Sequence, residues 1–320
     1  MRVAMTSAEV GDDVFGDDPT VARLEELAAG LLEKEAGMFV PSGTQSNLCA
    51  LLTHCGRGDE YIVGQTAHSY LFEGGGAAVF GSIQPQPIHQ EVDGTLDLDK
   101  VAALVKPDDF HYARSRLLCL ENTTWGKVLP LKYLEKLGPF SKGHGLSLHL
   151  DGARVFNAAI ASGVPASEIA EPFESVSLCL SKGLGAPVGS VLVASADFIK
   201  EAKRSRKMLG GGMRQSGLLA AAGIHALENH IERLSEDHVN ARRLAKELST
   251  IACLKVDPVQ TNMVFVEASG EKVASLSETL KQNGILMESY TGAKIRLVTH
   301  LDISEEDVNK VIHEFRKALA

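Results

Sequence analysis

Strand-sized apolar runs recur along the first two-thirds of this 320-residue chain, at residues 38–40, 61–63, 77–79, 117–120, 146–150, 176–180 and 190–194, with helical or loop stretches between most of them. A strand that is apolar along its whole length is buried on both faces, and alternation with helices makes its neighbours parallel. The pattern predicts an α/β fold, a mainly parallel sheet covered by helices on both faces.

The helices carry their own signals. From Pro19 the residues Val21, Leu24, Leu27, Ala28, Leu31 and Leu32 follow helical spacing, which stops near Gly37. Pro41, Ser42, Gly43 and Thr44 read as a turn that opens a second helix, with Leu48, Leu51, Leu52 and Cys55 as its stripe. After a helical stretch at 218–248 the texture changes: strand candidates at 263–266, 284–287 and 295–298 precede a last helix. Ser304 with Asp307 makes its capping box, and Val308, Val311, Ile312 and Phe315 its apolar stripe. A large domain over 1–240 and a smaller α+β domain over 241–320 are expected.

Charge limits the partners. With 32 Lys and Arg against 41 Asp and Glu the net charge is −9, so the long-range field repels polyanions and no nucleic acid is expected. The basic run Lys203, Arg204, Arg206 and Lys207 then reads as a solvated helix face or a subunit contact. No apolar run approaches the ~20 residues of a membrane span and no secretion signal opens the chain, so a cytoplasmic protein without membrane contact is expected. The five cysteines are scattered and form no C-x-x-C pair, consistent with reduced thiols.

Two strand ends concentrate the chemistry. Leu146-Ser-Leu-His-Leu150 runs into Asp151-Gly-Ala-Arg154, and Val176-Ser-Leu-Cys-Leu180 runs into Ser181, Lys182, Gly183-Leu-Gly185. In open α/β sheets ligands bind at the carboxyl ends of strands, so Asp151 and Lys182 are delivered to one edge. A lysine desolvated there can act as a neutral amine and form a Schiff base, and an aspartate can keep a pyridine nitrogen protonated. Ser42-Gly43-Thr44 at a helix start offers backbone N–H groups and the positive end of the helix dipole to a phosphate. Each also has a plainer reading: a solvated turn lysine, and a local ion pair of Asp151 with Arg154. Competing motifs fail on spacing. Gly183-Leu-Gly185-Ala-Pro-Val-Gly189 is neither a dinucleotide fingerprint nor a Walker loop, and the five-residue step from His225 to His230 does not put both rings on one helix face, so no metal is expected.

Six ordered blocks carry a resemblance: Val10-Gly-Asp-Asp-Val-Phe-Gly-Asp-Asp-Pro19-Thr20, Pro41-Ser-Gly-Thr-Gln45, Glu121-Asn-Thr123, His149-Leu-Asp-Gly-Ala-Arg154, Ser181-Lys-Gly-Leu-Gly-Ala-Pro-Val-Gly189 and Gly210-Gly-Gly-Met-Arg-Gln215. Together they resemble the low-specificity threonine aldolases, fold-type-I pyridoxal 5'-phosphate enzymes with a seven-stranded type of sheet. The resemblance implies a retro-aldol lyase that splits L-threonine, L-allo-threonine and related β-hydroxy-α-amino acids into glycine and an aldehyde, in a homodimer or homotetramer. It implies Lys182 as the lysine bonded to the cofactor, Asp151 on the pyridine nitrogen, and Gly43 and Thr44 on the phosphate. His68 would stack on the ring or serve as catalytic base, and Arg154 would sit beside cofactor and substrate. Arg296 would grip the substrate carboxylate, and Arg214 would reach the phosphate.

Two departures stand beside it. The chain opens just ahead of Glu9-Val10-Gly11, without a segment reading approximately Asp-Leu-Arg-Ser-Asp-Thr-Val-Thr found at the start of such sequences, so a shortened and impaired homologue is one alternative. Thr124 stands where many relatives have a histidine, so no preference between threonine and allo-threonine carries over. A β-eliminating lyase using the same Lys182 and Asp151 is the other alternative.

Overall fold

A computed structural model describes residues 1–268, 270–291 and 294–319. Its larger sheet has seven strands: β1 Ala36–Val40, β2 Asp59–Gly64, β3 Gln84–Ile88, β4 Arg114–Glu121, β5 Ser147–Gly152, β6 Ser175–Cys179 and β7 Ser190–Ala194. They lie in the order β1-β7-β6-β5-β4-β2-β3. The pairs from β6 to β3 are parallel, and β7 runs antiparallel to both β6 and β1. Every residue of β6 and β7 is buried, as continuous apolar strands between two helical layers must be. The mainly parallel α/β sheet expected from the sequence is therefore present.

A second, antiparallel sheet is formed by β8 Lys255–Val256, β9 Met263–Glu267, β10 Glu288–Thr291 and β11 Lys294–Val298, in the order β10-β11-β9-β8. It packs with helices Leu234–Leu248 and Glu305–Leu319 around Val264, Val266, Ile295, Val308 and Phe315. The chain divides into two compact units: Met1–Thr124 with Leu129–Ile231, and Trp125–Val128 with Glu232–Ala320.

Three elements differ from the sequence reading. Residues 77–79 are not a strand but the middle of helix Gly76–Gly81, started by the left-handed Gly75, whose carbonyl accepts from the N–H groups of Ala78 and Val79. The neighbouring strand is β3, Gln-Pro-Gln-Pro-Ile, whose pattern hid it. Prolines two residues apart put both missing donors on one side, which suits an edge strand, and β3 is the edge. Residues 284–287 likewise precede β10. Gly284, with φ +74°, closes helix Gly270–Gln282, and the N–H groups of Gly284 and Ile285 bond back to Lys281 and Leu280 rather than to a strand. The stretch 218–248 is two helices, Gly217–Asn229 and Leu234–Leu248. Between them the His230 ring turns aside to bond the Leu184 carbonyl at 2.6 Å.

Candidate active site

The parallel strands β4, β5 and β6 end on one edge of the sheet. Glu121 closes β4 and is the register partner of Asp151 near the end of β5, while Lys182 follows β6 in a turn closed by the Gly185 N–H on the Lys182 carbonyl at 2.9 Å. Asp151 is 3% exposed. One of its oxygens accepts from the Ala153 N–H at 3.1 Å and the other from the Asn47 amide at 2.9 Å.

Asn47 comes from helix Gly43–His54, whose start faces the same site. Ser42 caps that helix by accepting from the Gln45 N–H at 3.2 Å. Gly43 and Thr44 occupy its first two positions, where N–H groups have no intrahelical acceptor. Beside Gly43 the hydroxyl of Ser190 is buried with no hydrogen-bond partner, and a Cβ on Gly211 would overlap the Gln45 amide. A bare glycine backbone and an orphaned hydroxyl thus border a helix N-terminus.

His68 begins the short helix His68–Leu71 and is anchored twice. Its N–H donates to Glu121 at 3.1 Å, and its Nδ1 lies 2.9 Å from Glu73. The Asn47 amide donates to Glu73 as well as to Asp151, so one NH2 group bridges two carboxylates. His68, Glu73 and Asp151 bring ligand atoms within 4.8 Å of one another, and the Asn47 Nδ2 lies 2.9 Å from both Glu73 and Asp151.

The charges are coupled. The hydrogen bond to the Glu73 carboxylate raises the His68 pKa above its ordinary value, with Asp151 adding to it and burial and Lys182 opposing. Burial raises the Glu73 carboxyl. Burial, reinforced by the Asp151 charge, raises Glu121 well above the usual carboxylate range.

The remaining expected residues lie as follows. Arg154 is the half-buried N-cap residue of helix Val155–Ser162. Arg214 is 65% exposed, ion-paired with Asp12 and set over the Phe15 ring at 5.8 Å. Arg296 belongs to the C-terminal unit, on β11 between the buried Ile295 and Leu297. Thr124 accepts from the Gln90 amide at 3.1 Å. Asn122 Nδ2 and Thr123 Oγ1, just past β4, are buried with no hydrogen-bond partner.

The β-eliminating lyase family model matches residues 1–271. The low specificity L-threonine aldolase of Escherichia coli K12 is 56% identical over 320 residues, covering 100% of this chain and 95% of that protein. The chain belongs to the low-specificity L-threonine aldolase family. Low-specificity L-threonine aldolase 1 of Arabidopsis thaliana is 44% identical, with 100% and 92% covered. The threonine aldolase of Leishmania major superposes with a TM-score of 0.83 at 23% identity, covering 98% of this chain and 93% of that one, so the two share the fold-type-I architecture.

Within that family framework, sequence reasoning missed Asn47, Glu73 and Glu121 as members of the site. Asn47 had one usable signal: it lies one helical turn after Gly43, on a helix whose start was already read as a phosphate cradle. Glu73 had none, because only the turn after His68–Leu71 brings it back to the imidazole.

Proposed function

We propose that this chain cleaves L-threonine, L-allo-threonine and related β-hydroxy-α-amino acids to glycine and an aldehyde, with pyridoxal 5'-phosphate as cofactor. The observation that carries the reading is the sheet edge on which buried Asp151 and the turn holding Lys182 meet a glycine-opened helix N-terminus, in a chain 56% identical over its full length to an L-threonine aldolase.

The residues present fit the cofactor. Gly43, Thr44 and the orphaned Ser190 hydroxyl are donors for its phosphate, with Arg214 as a further cation. Asp151, buried, would accept from its ring nitrogen, and the Lys182 amine would hold its aldehyde carbon. When bound, pyridoxal phosphate supplies an electron sink for the pair released at the substrate α-carbon. The Lys182 amine would be the group that holds the cofactor between turnovers. Arg154 would lie beside the cofactor, and Arg296 is the arginine proposed for the substrate carboxylate, a grip that would set which bond at the α-carbon is broken. His68 has Nδ1 committed to Glu73, so Nε2 is the atom that takes the proton from the β-hydroxyl. That proton transfer is what turns bond breaking toward carbon–carbon cleavage.

The same reading includes a homo-oligomer, a dimer or a tetramer. Leu71, Phe72, Val79 and Phe80 are exposed on or just after two successive short helices, apolar side chains that a second copy would cover. A cytoplasmic location is supported by five cysteines that form no disulfide. No helix among the described residues is long and apolar enough to cross a membrane.

The test is product identity. Incubated with pyridoxal phosphate and L-threonine, the protein is expected to release acetaldehyde and glycine in equal amounts. Ammonia with an oxo acid would instead establish β-elimination and overturn the reading.

A further inference from the structure

Behind Asp151 runs a buried chain of side chains that the reaction above does not use. His149 and Ser175 are register partners on β5 and β6, and both are 0% exposed. His149 shares a sheet face with Asp151, two residues on. Across that face lies helix Gly43–His54, with Asn47 and His54 seven residues apart and so on one side of the helix. The result is continuous: His54 Nε2 to Ser175 Oγ at 2.7 Å, Ser175 Oγ to His149 Nδ1 at 2.8 Å, His149 Nε2 to Asn47 Oδ1 at 3.2 Å, and Asn47 Nδ2 to Asp151 at 2.9 Å.

The direction of every bond follows from one end. Asn47 faces two carboxylates, which accept, so its NH2 group must point at them and its oxygen at His149. His149 therefore donates from Nε2 and, being neutral, accepts at Nδ1. The Ser175 hydroxyl must donate to Nδ1, which leaves its oxygen to accept from His54. Burial supports neutral rings, holding His149 down to about 4 and His54 to about 3. The outer end is His54 Nδ1, 4.0 Å from the half-exposed Glu174, with the Phe198 ring packed 4.5 Å from the imidazole.

We propose that His54, Ser175, His149 and Asn47 form a one-way hydrogen-bond chain that locks the Asn47 amide across Asp151 and Glu73, and so sets how strongly Asp151 draws the proton on the cofactor's ring nitrogen. These are positioning residues, and the inference rests on the reading that Asp151 faces that nitrogen. All four bond dipoles point the same way, so each link strengthens the next and the last one stabilises the Asp151 anion. Breaking a link makes the carboxylate more basic, and a more basic carboxylate pulls the shared proton toward itself.

The experiment follows the magnetic resonance of the ring nitrogen in holoenzyme loaded with pyridoxal phosphate labelled at that atom. Ser175→Ala is expected to move the resonance toward the unprotonated pyridine position, and His149→Phe to move it further. His149→Gln, which keeps a donor for Asn47, should return it toward the wild-type position. If Ser175→Ala and His149→Phe leave the resonance where the wild type has it while Asp151→Ala moves it, the chain has no hold on the cofactor and the inference is overturned. If Asp151→Ala also leaves it in place, the assignment of Asp151 itself falls. Should His149→Phe fail to fold, Ser175→Ala removes a single oxygen and decides alone.

Discussion

The roles proposed for Lys182, Asp151 and His68 differ because their surroundings differ. Asp151 is buried with two neutral donors, Lys182 sits half-buried in a glycine turn, and His68 is tied to a carboxylate that raises its pKa. A base must be neutral to act, so kcat/KM is expected to fall as pH drops through the raised His68 value. Glu73→Gln removes the largest cause of that rise, and the acid limb of the pH profile should then move to lower pH. A limb that stays in place would take the base role from His68. His68→Phe is expected to cost about 100-fold in kcat/KM with bound cofactor retained, measured by aldehyde release and absorbance. Lys182 and Asp151 were legible in the sequence because each ends an apolar strand on a charged residue followed by glycine. Glu73 was not, because only the turn after His68–Leu71 brings it to the imidazole, and Asn47 offered no more than its place one helical turn after Gly43.

Among the elements, helix Gly43–His54 carries the most proposed roles for its length. Its start presents free N–H groups, its first full turn presents Asn47, and its end presents His54. Ser42→Ala deletes the side-chain cap and is expected to destabilise the protein by about 1 kcal/mol, read from a denaturant titration. No loss of stability would mean that the cap bond is replaced by solvent. The strands of the larger sheet that the sequence disclosed are those whose burial dictates their pattern, β1, β2, β4, β5, β6 and β7. The elements it hid obey local rules instead: β3 is a proline-spaced edge, and helix Gly76–Gly81 is a single glycine-started turn and a half with Val79 and Phe80 exposed. Trp125–Val128 joins the C-terminal unit through contacts such as the Thr261 hydroxyl on the Gly126 carbonyl at 2.8 Å, which no linear pattern announces.

On the scale of the whole molecule, burial of neutral histidines links folding to acid. His54 and His149 titrate far below the ordinary value in the folded state and near it when unfolded, so the unfolded chain binds more protons from pH 6.5 downward. Stability is therefore complete above that pH and is lost as pH falls toward about 4, by roughly 1 kcal/mol per pH unit for each ring. Thermal melts between pH 7 and pH 5 should show a drop in Tm that His54→Phe reduces; an equal drop in the variant would place the acid sensitivity elsewhere. The central claim is that Lys182 bonds the cofactor at the edge where Asp151 waits. Its most direct test is to treat the cofactor-loaded protein with borohydride and map the modified peptide by mass spectrometry. The account predicts a pyridoxyl group on Lys182 and, in the Lys182→Ala protein, neither that group nor glycine from threonine. A pyridoxyl group on another lysine, or glycine still formed by Lys182→Ala at the wild-type rate, would contradict it.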